Sequence, residues 1–251
     1  MSQTPLYTKP NALKETSTFY CPGCGHGIIT RTVTEVLDEL NLREKTIFVA
    51  PVGCSVTSYD YVDVDSIEAA HGRAPAVATG IKRAHPDLHV ISYQGDGDLA
   101  SIGLAEIVHA ANRGENFTVV FVNNTIYGMT GGQMAPTTLP GQKSATSPRG
   151  RMPEGGHGFP MKMCEILDNL EMPALIARCM IDGPAGVRKA KSLIRKAFKC
   201  QMEGKGFSFV EILAPCPTYM RMDPPQAIKH IKETVSEYFP TKVFRDRTEE
   251  K

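Results

Sequence analysis

The stretch LHVISYQGDGDLASIGLAEIVHAANRGENFTVVFVNN, from Leu88 to Asn124, contains the pattern that decides the fold. An apolar run is followed by a segment with apolar residues at helical spacing, and a second apolar run ends it. A strand, a helix and a strand in this order join parallel strands of one sheet. The acidic residues Asp96 and Asp98 follow the first strand, and Asn123 and Asn124 close the second. The stretch therefore predicts a parallel sheet with polar side chains at the carboxyl ends of its strands.

The same alternation of strand and helix patterns continues along the chain. Further apolar runs lie at 46–52, 174–181 and 207–216, and helical patterns lie at 27–42, 73–85, 161–170, 185–203 and 224–239. The apolar runs lack a polar alternation, which is typical of parallel strands covered by helices on both faces. We predict an α/β fold, with a single domain over residues 1–251 that closes on a C-terminal helix. The connection from 128 to 158 is long for such a domain, which favours a binding or interface loop.

The composition limits the classes of function. The chain has 251 residues, a hydrophobic fraction of 41% and a net charge of +1, so it can bury a sizeable core and has no basic field for nucleic acid or acidic membranes. It has no apolar stretch of the ~20 residues that span a bilayer and no signal-peptide core, so we expect a cytoplasmic protein. In that compartment its seven cysteines favour metal or redox chemistry over disulfides.

The first candidate site is formed by Asp96 and Asn124. One strand–helix–strand unit contains both, so their side chains can project from neighbouring strand ends. A carboxylate, an amide oxygen and a nearby backbone carbonyl are ligands that Mg²⁺ prefers, and this ion commonly bridges to phosphate. Gly95 and Gly97 allow phosphates to approach the backbone, and a helix that starts near Ser101 offers free N–H groups. The alternative is that an aspartate only caps this helix and that the asparagines only form a turn.

The second candidate site involves cysteines. Cys21 and Cys24 form a C-x-x-C pattern in FYCPGCGHG. A zinc knuckle needs a second nearby pair, which is absent from the sequence, and a redox dithiol usually follows a strand, which is not predicted here. An iron–sulfur cluster can instead be completed by distant cysteines. Cys54 and Cys216 follow predicted strands at the same edge as Asp96, so we predict one four-cysteine cluster with an N-terminal binding segment. The remaining cysteines fall inside helix or strand patterns, as expected for core or surface thiols: Cys164, Cys179 and Cys200.

Together these motifs resemble a known family. The sequence GDG, followed after a helix and a strand by NN, resembles the thiamine-diphosphate motif, in which magnesium joins the cofactor's diphosphate to the protein. The whole set resembles the β subunit of 2-oxoacid:ferredoxin oxidoreductases, nearest to the 2-oxoisovalerate (branched-chain) and 2-oxoglutarate branches. The matching stretches run from about Cys21 to Thr218: CPGCGHGI, PVGCS, AAHGRAPAVATGIK, QGDGDLASIG, FVNNTIYGMTGGQMAPTT and LAPCPT. The resemblance implies a thiamine-diphosphate-binding α/β fold.

The resemblance also implies a role for each motif. The ligands of a four-iron four-sulfur (4Fe-4S) cluster would be Cys21, Cys24, Cys54 and Cys216. The magnesium ligands would be Asp96, Asn124 and the carbonyl of Ile126. The residues that line the diphosphate would be Gly97, Asp98, Gly128 and Met129. The residues that border the rest of the cofactor would be Gly53, Cys54, Ser55 and His71. His26 can be a site residue or a core residue, and the sequence does not decide between the two.

The activity implied by the resemblance is the thiamine-dependent oxidative decarboxylation of a 2-oxo acid to acyl-CoA and CO2, with electrons passed through the cluster to ferredoxin. Thiamine enzymes need a glutamate that activates the cofactor, and none stands out here, since Glu68 and Glu106 look like helix or helix-flank residues. The resemblance implies that an α subunit supplies this acid, with γ and ferredoxin-like δ functions on further chains or fused. No catalytic residue is therefore assigned within this chain.

The substrate prediction depends on the residues that follow Cys54. Ser55 to Tyr59 carry no charge, whereas a second substrate carboxylate would need an arginine or lysine. This favours 2-oxoisovalerate over 2-oxoglutarate, which is the alternative within the family. Two other classes stay open: a non-redox thiamine decarboxylase or synthase, which leaves the four cysteines unused, and an electron-transfer module, which leaves the magnesium motif unused.

Overall fold

The computed structural model describes residues 8–248, which form a seven-stranded sheet and a small hairpin. The strands are β1 (Thr46–Ala50), β2 (Asp65–Glu68), β3 (His89–Gly95), β4 (Thr118–Asn123), β5 (Ile126–Tyr127), β6 (Gln133–Met134), β7 (Leu175–Met180), β8 (Ser208–Leu213) and β9 (Lys242–Asp246). The order in the sheet is β2-β1-β3-β4-β8-β7-β9. Every neighbouring pair is parallel except β7 and β9, and β5 and β6 form the antiparallel hairpin.

The helices of the described residues connect these strands. They are α1 (Gly25–Glu39), α2 (Ala74–Ala84), α3 (Leu104–Asn112), α4 (Met163–Asp168), α5 (Pro184–Met202), α6 (Pro217–Met220), α7 (Pro224–His230) and α8 (Ser236–Tyr238). A π-helical turn joins α7 to α8, so residues 224–238 form one continuous helical segment, as predicted. Within residues 8–248, no helix is both long and apolar enough to cross a membrane.

Strand β4 illustrates how the core is built. All of its residues are buried. Val120 and Val122 pack in a cluster with α1 and α5 on one face of the sheet. Val119 and Phe121 pack in a second cluster with α2, α3 and α4 on the other face. The predicted α/β fold, with a parallel sheet covered by helices on both faces, is therefore confirmed.

Two edge strands were not predicted from the sequence. Strand β2 is exposed at all four positions, and Ile67 is its only apolar residue, so it has no apolar run. Strand β9 is also largely exposed, and it follows the helical segment that we expected to close the domain. Edge strands are held by backbone hydrogen bonds to one neighbour and need little apolar character. The predicted domain, residues 1–251, extends beyond the described residues at both ends.

The loop from 128 to 158 is held in place by one buried arginine. The guanidinium of Arg151 lies 2.8–3.2 Å from six backbone carbonyls of the loop and of the residues that follow it: Ala135, Pro136, Thr138, His157, Gly158 and Phe159. A guanidinium offers several N–H donors in a fixed plane, so it can join both ends of a loop at once. This anchor keeps the middle of the loop against the strand ends.

A buried ion pair joins the neighbouring strands β7 and β8 in the core. Arg178 on β7 and Glu211 on β8 are 1% and 0% exposed, and Arg178 Nε lies 2.8 Å from Glu211 Oε2. Arg178 also donates from Nη1 to Glu165 Oε1 at 2.9 Å. The other oxygen of Glu211 accepts from Asn123 Nδ2 at 2.8 Å. Because Asn123 ends β4, the pair links the core to the polar turn that follows this strand.

Replacing Arg178 by methionine is expected to destabilise the fold by about 3–5 kcal/mol, because the Glu211 carboxylate then stays buried without its cation. The matched control is Arg195→Met, which breaks a pair with Glu39 whose side chains are 37% and 39% exposed. That change should cost less than about 1 kcal/mol. Urea unfolding followed by circular dichroism measures both values, and equal losses would contradict the importance of the buried pair.

Candidate functional site

Two cavities adjoin at the carboxyl ends of the parallel strands. We call the first the strand-end pocket; it has a volume of about 110 Å³ and lies among residues 52–55, 95–98 and 126–130. We call the second the cysteine pocket; it has a volume of about 240 Å³ and lies among residues 19–21, Cys24, Cys54 and 216–217. Four residues line both cavities: Cys54, Asn124, Gly128 and Met129. Ligands bound in the two cavities would therefore share a wall.

The structure brings the sequence-predicted site residues together in these cavities. Those predicted for magnesium and cofactor all line the strand-end pocket: Gly53, Cys54, Ser55, His71, Asp96, Gly97, Asp98, Asn124, Ile126, Gly128 and Met129. Those predicted for the cluster all line the cysteine pocket: Cys21, Cys24, Cys54 and Cys216. Strand ends that are distant in sequence meet at one edge of a parallel sheet, which is why this grouping was predictable.

Asp96 is the buried acid of the strand-end pocket. It is 2% exposed, Oδ1 accepts from the backbone N–H of Gly97 at 2.8 Å, and Oδ2 accepts from Thr137 Oγ1 at 2.5 Å. Burial raises the pKa of Asp96 to about 7, although these hydrogen bonds act in the opposite direction. No lysine or arginine of the described residues lines this pocket. A buried carboxylate without a cationic side chain suits a bound divalent cation.

The turn after β4 presents the other two candidate magnesium ligands. Thr125, between Asn124 and Ile126, has a φ of 63°, which is unusual for a β-branched residue. Its N–H donates to Asn123 Oδ1 at 3.2 Å, and its carbonyl accepts from Thr138 Oγ1 at 2.6 Å. Several partners thus hold a backbone conformation that costs about 1–3 kcal/mol, as is common at binding sites.

Gly97 lies against an aromatic ring that closes the pocket. Tyr127 donates its hydroxyl to the carbonyl of Gly97 at 2.9 Å. A Cβ atom at Gly97 would lie only 2.2 Å from Tyr127 Cε1, so any side chain would displace this ring. Glycine at position 97 therefore allows the turn after β3 to pack against the Tyr127 ring, which a larger residue would prevent.

The Gly97→Ala variant is expected to lose at least about tenfold in affinity for the pocket's ligand, because moving Tyr127 costs a hydrogen bond and packing. The control is Gly80→Ala on α2, where an added Cβ meets nothing within 4 Å. There alanine should stabilise the helix by about 0.5–1 kcal/mol. Isothermal titration with magnesium and thiamine diphosphate measures binding to each variant, and unchanged binding by Gly97→Ala would contradict the role of this contact.

Two further polar groups of the strand-end pocket bear on ligand binding. Ser55 Oγ is buried and has no hydrogen-bond partner among the described residues, so its hydroxyl is available to a ligand in this pocket. His26 is 2% exposed and pairs through Nδ1 with Tyr93 Oη at 2.7 Å. Burial lowers the pKa of His26 to about 4, so the ring is neutral. His26 is thus a core residue whose ring also forms part of the pocket wall.

In the cysteine pocket, thiols from separate parts of the chain lie together beside Gly128. A Cβ atom at Gly128 would lie 3.2 Å from Cys54 Sγ and 3.6 Å from Cys216 Sγ. Cys24 precedes α1, and the next N–H, that of Gly25, donates to Pro215 O at 3.0 Å, which fixes the C-x-x-C segment beside the turn after β8.

Burial raises the pKa of Cys24 and of Cys216 to about 12, and it also raises the pKa of Cys54. Such thiols are protonated unless a metal displaces the proton, so they suit metal ligation better than nucleophilic attack. Among residues 8–248, no three His, Cys, Asp or Glu side chains converge closely enough to bind a single metal ion. An iron–sulfur cluster differs, because each cysteine binds its own iron and the sulfurs surround the cluster. The remaining thiols are buried elsewhere, in agreement with their interpretation as structural: Cys164, Cys179 and Cys200.

Some residues that shape the site were not assigned a role from the sequence. Thr137 donates to Asp96, and Gln142 Nε2 donates to Thr125 Oγ1 at 2.9 Å, yet both come from the loop 128–158 and match no spacing rule. Tyr20 stacks on His26 with ring centroids 5.4 Å apart. The length of the loop indicated a binding or interface role, but it did not indicate which of its residues contact the site.

Comparisons with known proteins agree with the fold and with a thiamine-diphosphate-binding domain. Residues 51–212 match the family described as "Thiamine pyrophosphate enzyme, C-terminal TPP binding domain". The chain therefore contains a thiamine-diphosphate-binding domain, and the matched range begins directly after β1 and includes the carboxyl ends of β3 and β4.

Relatives narrow this class further. Ketoisovalerate oxidoreductase subunit VorA of Methanothermobacter thermautotrophicus is 53% identical over 98% of this chain and 51% of its own length. The 2-oxoglutarate synthase subunit KorB of Archaeoglobus fulgidus is 38% identical over 86% of this chain and 76% of its own. The solved 2-oxoglutarate:ferredoxin oxidoreductase from Magnetococcus marinus, with 2-oxoglutarate, coenzyme A and succinyl-CoA bound, has a TM-score of 0.75 and 29% identity, and covers 96% of this chain and 86% of that chain. The chain belongs to the family of 2-oxoacid:ferredoxin oxidoreductase β subunits, and it spans about half the length of the VorA relatives.

Proposed function

We propose that this chain is the thiamine-diphosphate-binding part of an enzyme that converts a 2-oxo acid and coenzyme A to acyl-CoA and CO2 and reduces ferredoxin. The observation that carries the proposal is the wall shared by the strand-end pocket and the cysteine pocket, at Cys54, Asn124, Gly128 and Met129. When bound, thiamine diphosphate supplies the carbon nucleophile and an iron–sulfur cluster supplies a one-electron acceptor. A cofactor pocket beside four cysteines suits a decarboxylation whose electrons leave singly.

In this proposal Asp96, Asn124 and the carbonyl of Ile126 bind Mg²⁺ and thereby the diphosphate. The fit rests on the buried Asp96 carboxylate, which has no cationic side chain beside it in the pocket, and on the oxygen character of all three ligands. Gly97 and Gly128 line the pocket in which the diphosphate would lie. A side chain at Gly97 would displace the Tyr127 ring of the same pocket. The unpaired Ser55 hydroxyl offers one more hydrogen bond to the cofactor.

The four cysteines of the cysteine pocket hold a 4Fe-4S cluster in this proposal. The proposal is supported by the soft sulfur ligands, by their location in one cavity, and by Gly128, whose missing side chain leaves space beside the thiols of Cys54 and Cys216. Cys21 is exposed, whereas Cys216 is buried. The cluster would therefore be reached from the side of Cys21, which suits electron transfer to a docked ferredoxin.

The chain needs a partner subunit for catalysis in this proposal. No glutamate among residues 8–248 lines either pocket. Glu68 lies on the exposed edge strand β2, and Glu106 on α3 is paired with Arg73. We expect the acid that activates thiamine to come from outside the described residues, and an α subunit to supply it. The γ and ferredoxin-like δ functions would lie on further chains or in the remaining part of a longer protein.

We expect 2-oxoisovalerate to be turned over at least about tenfold more efficiently than 2-oxoglutarate, because burying a second carboxylate without a cation costs more than about 1.4 kcal/mol. The described residues that line the two pockets include no lysine or arginine, and Val52 and Met129 are exposed apolar residues at their rim. The ketoisovalerate name of the VorA relatives points the same way. Measuring kcat/KM of the assembled complex for both acids tests this, and a preference for the dicarboxylate would favour the 2-oxoglutarate alternative.

The function itself is tested by purifying the chain anaerobically with its natural partners and assaying iron, sulfide and thiamine diphosphate together. We expect one thiamine diphosphate per copy and about four irons beyond those of any ferredoxin-like partner. Thiamine diphosphate without this iron would favour a non-redox thiamine decarboxylase or synthase. Iron without thiamine diphosphate would favour an electron-transfer module and would contradict the magnesium site.

A further inference from the structure

A third cavity lies beside the cysteine pocket and carries positive charge. It has a volume of about 540 Å³ and lies between the loop 128–158 and the segment that contains α6 and α7. Two exposed cations line it, Lys143 from the loop and Arg221 from the turn after α6. None of the described residues that line it is acidic. We call it the cationic cavity, because a partner that approaches it meets positive charge that no lining carboxylate balances.

The two cations of the cationic cavity have no partner of their own. Within residues 8–248, the side chains of Lys143 and Arg221 form neither an ion pair nor a hydrogen bond. Asp223, two residues after Arg221, instead caps α7 by accepting the N–H of Gln226 at 2.8 Å. Two unpaired cations at one cavity raise the local positive potential, which attracts an acidic partner.

The backbone at Arg221 is unusual. Its φ is 53°, in the left-handed region that few residues other than glycine adopt. Arg221 ends the short helix α6, and glycine is common in this conformation at helix ends. Residues held in such conformations are concentrated at functional sites. Position 221 thus carries a charged side chain where the backbone favours glycine, which indicates that the charge has a function.

The cationic cavity adjoins the proposed cluster site. Tyr219 lines both this cavity and the cysteine pocket. The C-x-x-C segment packs against the start of α7, since a Cβ atom at Gly23 would lie 2.6 Å from Pro224 Cβ. Cys21 is exposed, and Phe19 beside it in the cysteine pocket is 85% exposed. The positive charge therefore lies next to an exposed apolar ring and to the most accessible of the four proposed cluster ligands.

We propose that the docking surface for ferredoxin is the face formed by five residues: Phe19, Cys21, Lys143, Tyr219 and Arg221. The ferredoxin that fits this face presents acidic side chains around its own cluster. The inference rests on the proposed function, because it assumes a cluster in the cysteine pocket. Each 2-oxo acid yields two electrons, so two oxidised ferredoxin clusters are reduced by one electron each, and the cluster of this chain is reoxidised each time.

The character of this face favours a transient partner over a permanent subunit. Interfaces between permanent subunits are large and apolar, whereas electron-transfer partners meet over small surfaces. Exposed cations steer an acidic partner and increase its association rate more than its affinity. The unpaired cations Lys143 and Arg221, together with one strongly exposed ring at Phe19, match the transient case.

Binding is tested by calorimetric titration of the assembled complex with an oxidised, acidic two-cluster ferredoxin, in the absence of substrate. The titration is carried out at about 0.01 M and at about 1 M salt, where charges are screened beyond about 30 Å and about 3 Å. The double variant Lys143→Glu with Arg221→Glu should raise the Kd at least about tenfold at low salt, because its glutamates repel the acidic partner. At high salt it should differ little from the unaltered complex.

Two control variants accompany this titration. Lys143→Arg with Arg221→Lys keeps both charges and should bind ferredoxin normally. Lys45→Glu with Lys199→Glu makes the same change of charge at exposed lysines before β1 and in the last turn of α5, at the opposite edge of the sheet. It should also bind normally, because those positions lie far from the proposed docking surface.

Turnover gives a second measurement. The Lys143→Glu, Arg221→Glu variant should raise the KM for ferredoxin at least about tenfold at low salt, with the KM for the 2-oxo acid unchanged. It should reduce benzyl viologen at the rate of the unaltered complex, because this small cation takes electrons from the cluster without docking through acidic groups. A selective loss with ferredoxin separates a docking defect from damage to the cluster or to the cofactor site.

The outcomes separate this inference from the proposed function. If the unaltered complex reduces neither ferredoxin nor benzyl viologen with a 2-oxo acid, the proposed function fails. If it reduces benzyl viologen but the Lys143→Glu, Arg221→Glu variant binds ferredoxin as tightly as the unaltered complex, or if the control at Lys45 and Lys199 loses as much affinity, the inference is overturned and the proposed function stands. Loss of a subunit from the variant complex on size-exclusion chromatography would also overturn it, because the face would then be a permanent subunit interface.

Discussion

Replacing Asp96 by asparagine is expected to abolish activity and to weaken binding of thiamine diphosphate with Mg²⁺ by at least about a hundredfold. At metal sites, replacing a residue that only hydrogen-bonds to a ligand already lowers metal affinity or activity by about 10–100-fold, so loss of a ligand should cost more. Asparagine has nearly the same shape, and it can still accept from the Gly97 N–H and interact with Thr137, so the pocket should keep its form. What it lacks is the negative charge that attracts the cation. Isothermal titration at fixed Mg²⁺ measures the loss, with circular dichroism as the test of folding.

The matched control is Asp87→Asn. Asp87 is an exposed aspartate in the turn before β3, at the opposite end of the strand from Asp96. It carries the same change of charge without touching either pocket, so binding should be unchanged. If both variants bound the cofactor normally, Asp96 would be only a structural acid, and the magnesium site would have to be sought elsewhere.

Replacing Cys216 by alanine is expected to remove the 4Fe-4S cluster and with it the reduction of ferredoxin. Cys216 lines the cysteine pocket beside Gly128, and alanine cannot ligate iron. The complex should contain about four fewer irons per copy of this chain, because a cubane cluster held by three protein ligands is labile. Thiamine diphosphate should remain bound, since its proposed magnesium ligands are untouched. Iron and sulfide analysis and electron paramagnetic resonance of the reduced complex measure the result.

Cys200→Ala is the control for this prediction. Cys200 is 1% exposed on α5 and lies 3.9 Å from the carbonyl of Gly206, so it is a buried thiol with no part in the cysteine pocket. Its replacement should leave the iron content unchanged and cost only a small amount of stability. A full complement of iron in Cys216→Ala, or an equal loss in both variants, would contradict the proposed ligand set.

Much of the site could be predicted because it depends on chain topology. Asp96 and Asn124 belong to one strand–helix–strand unit, and the geometry of such a unit places the ends of its two strands side by side. The same rule placed Cys54 and Cys216 near them. The edge strands β2 and β9 could not be predicted, because they are largely exposed and lack the apolar run that marks a buried strand.

The sequence by itself determined the α/β fold, the edge of the sheet where ligands bind and the family, because these follow from the order of apolar runs and from motifs of a few adjacent residues. Only the tertiary structure decided which side chains meet across the loops. Thr137 reaches Asp96 from a loop that Arg151 anchors, and Asp98 pairs with His71 from the turn before α2. These contacts join residues from separate segments, and their distances depend on how the segments pack, which no local spacing encodes.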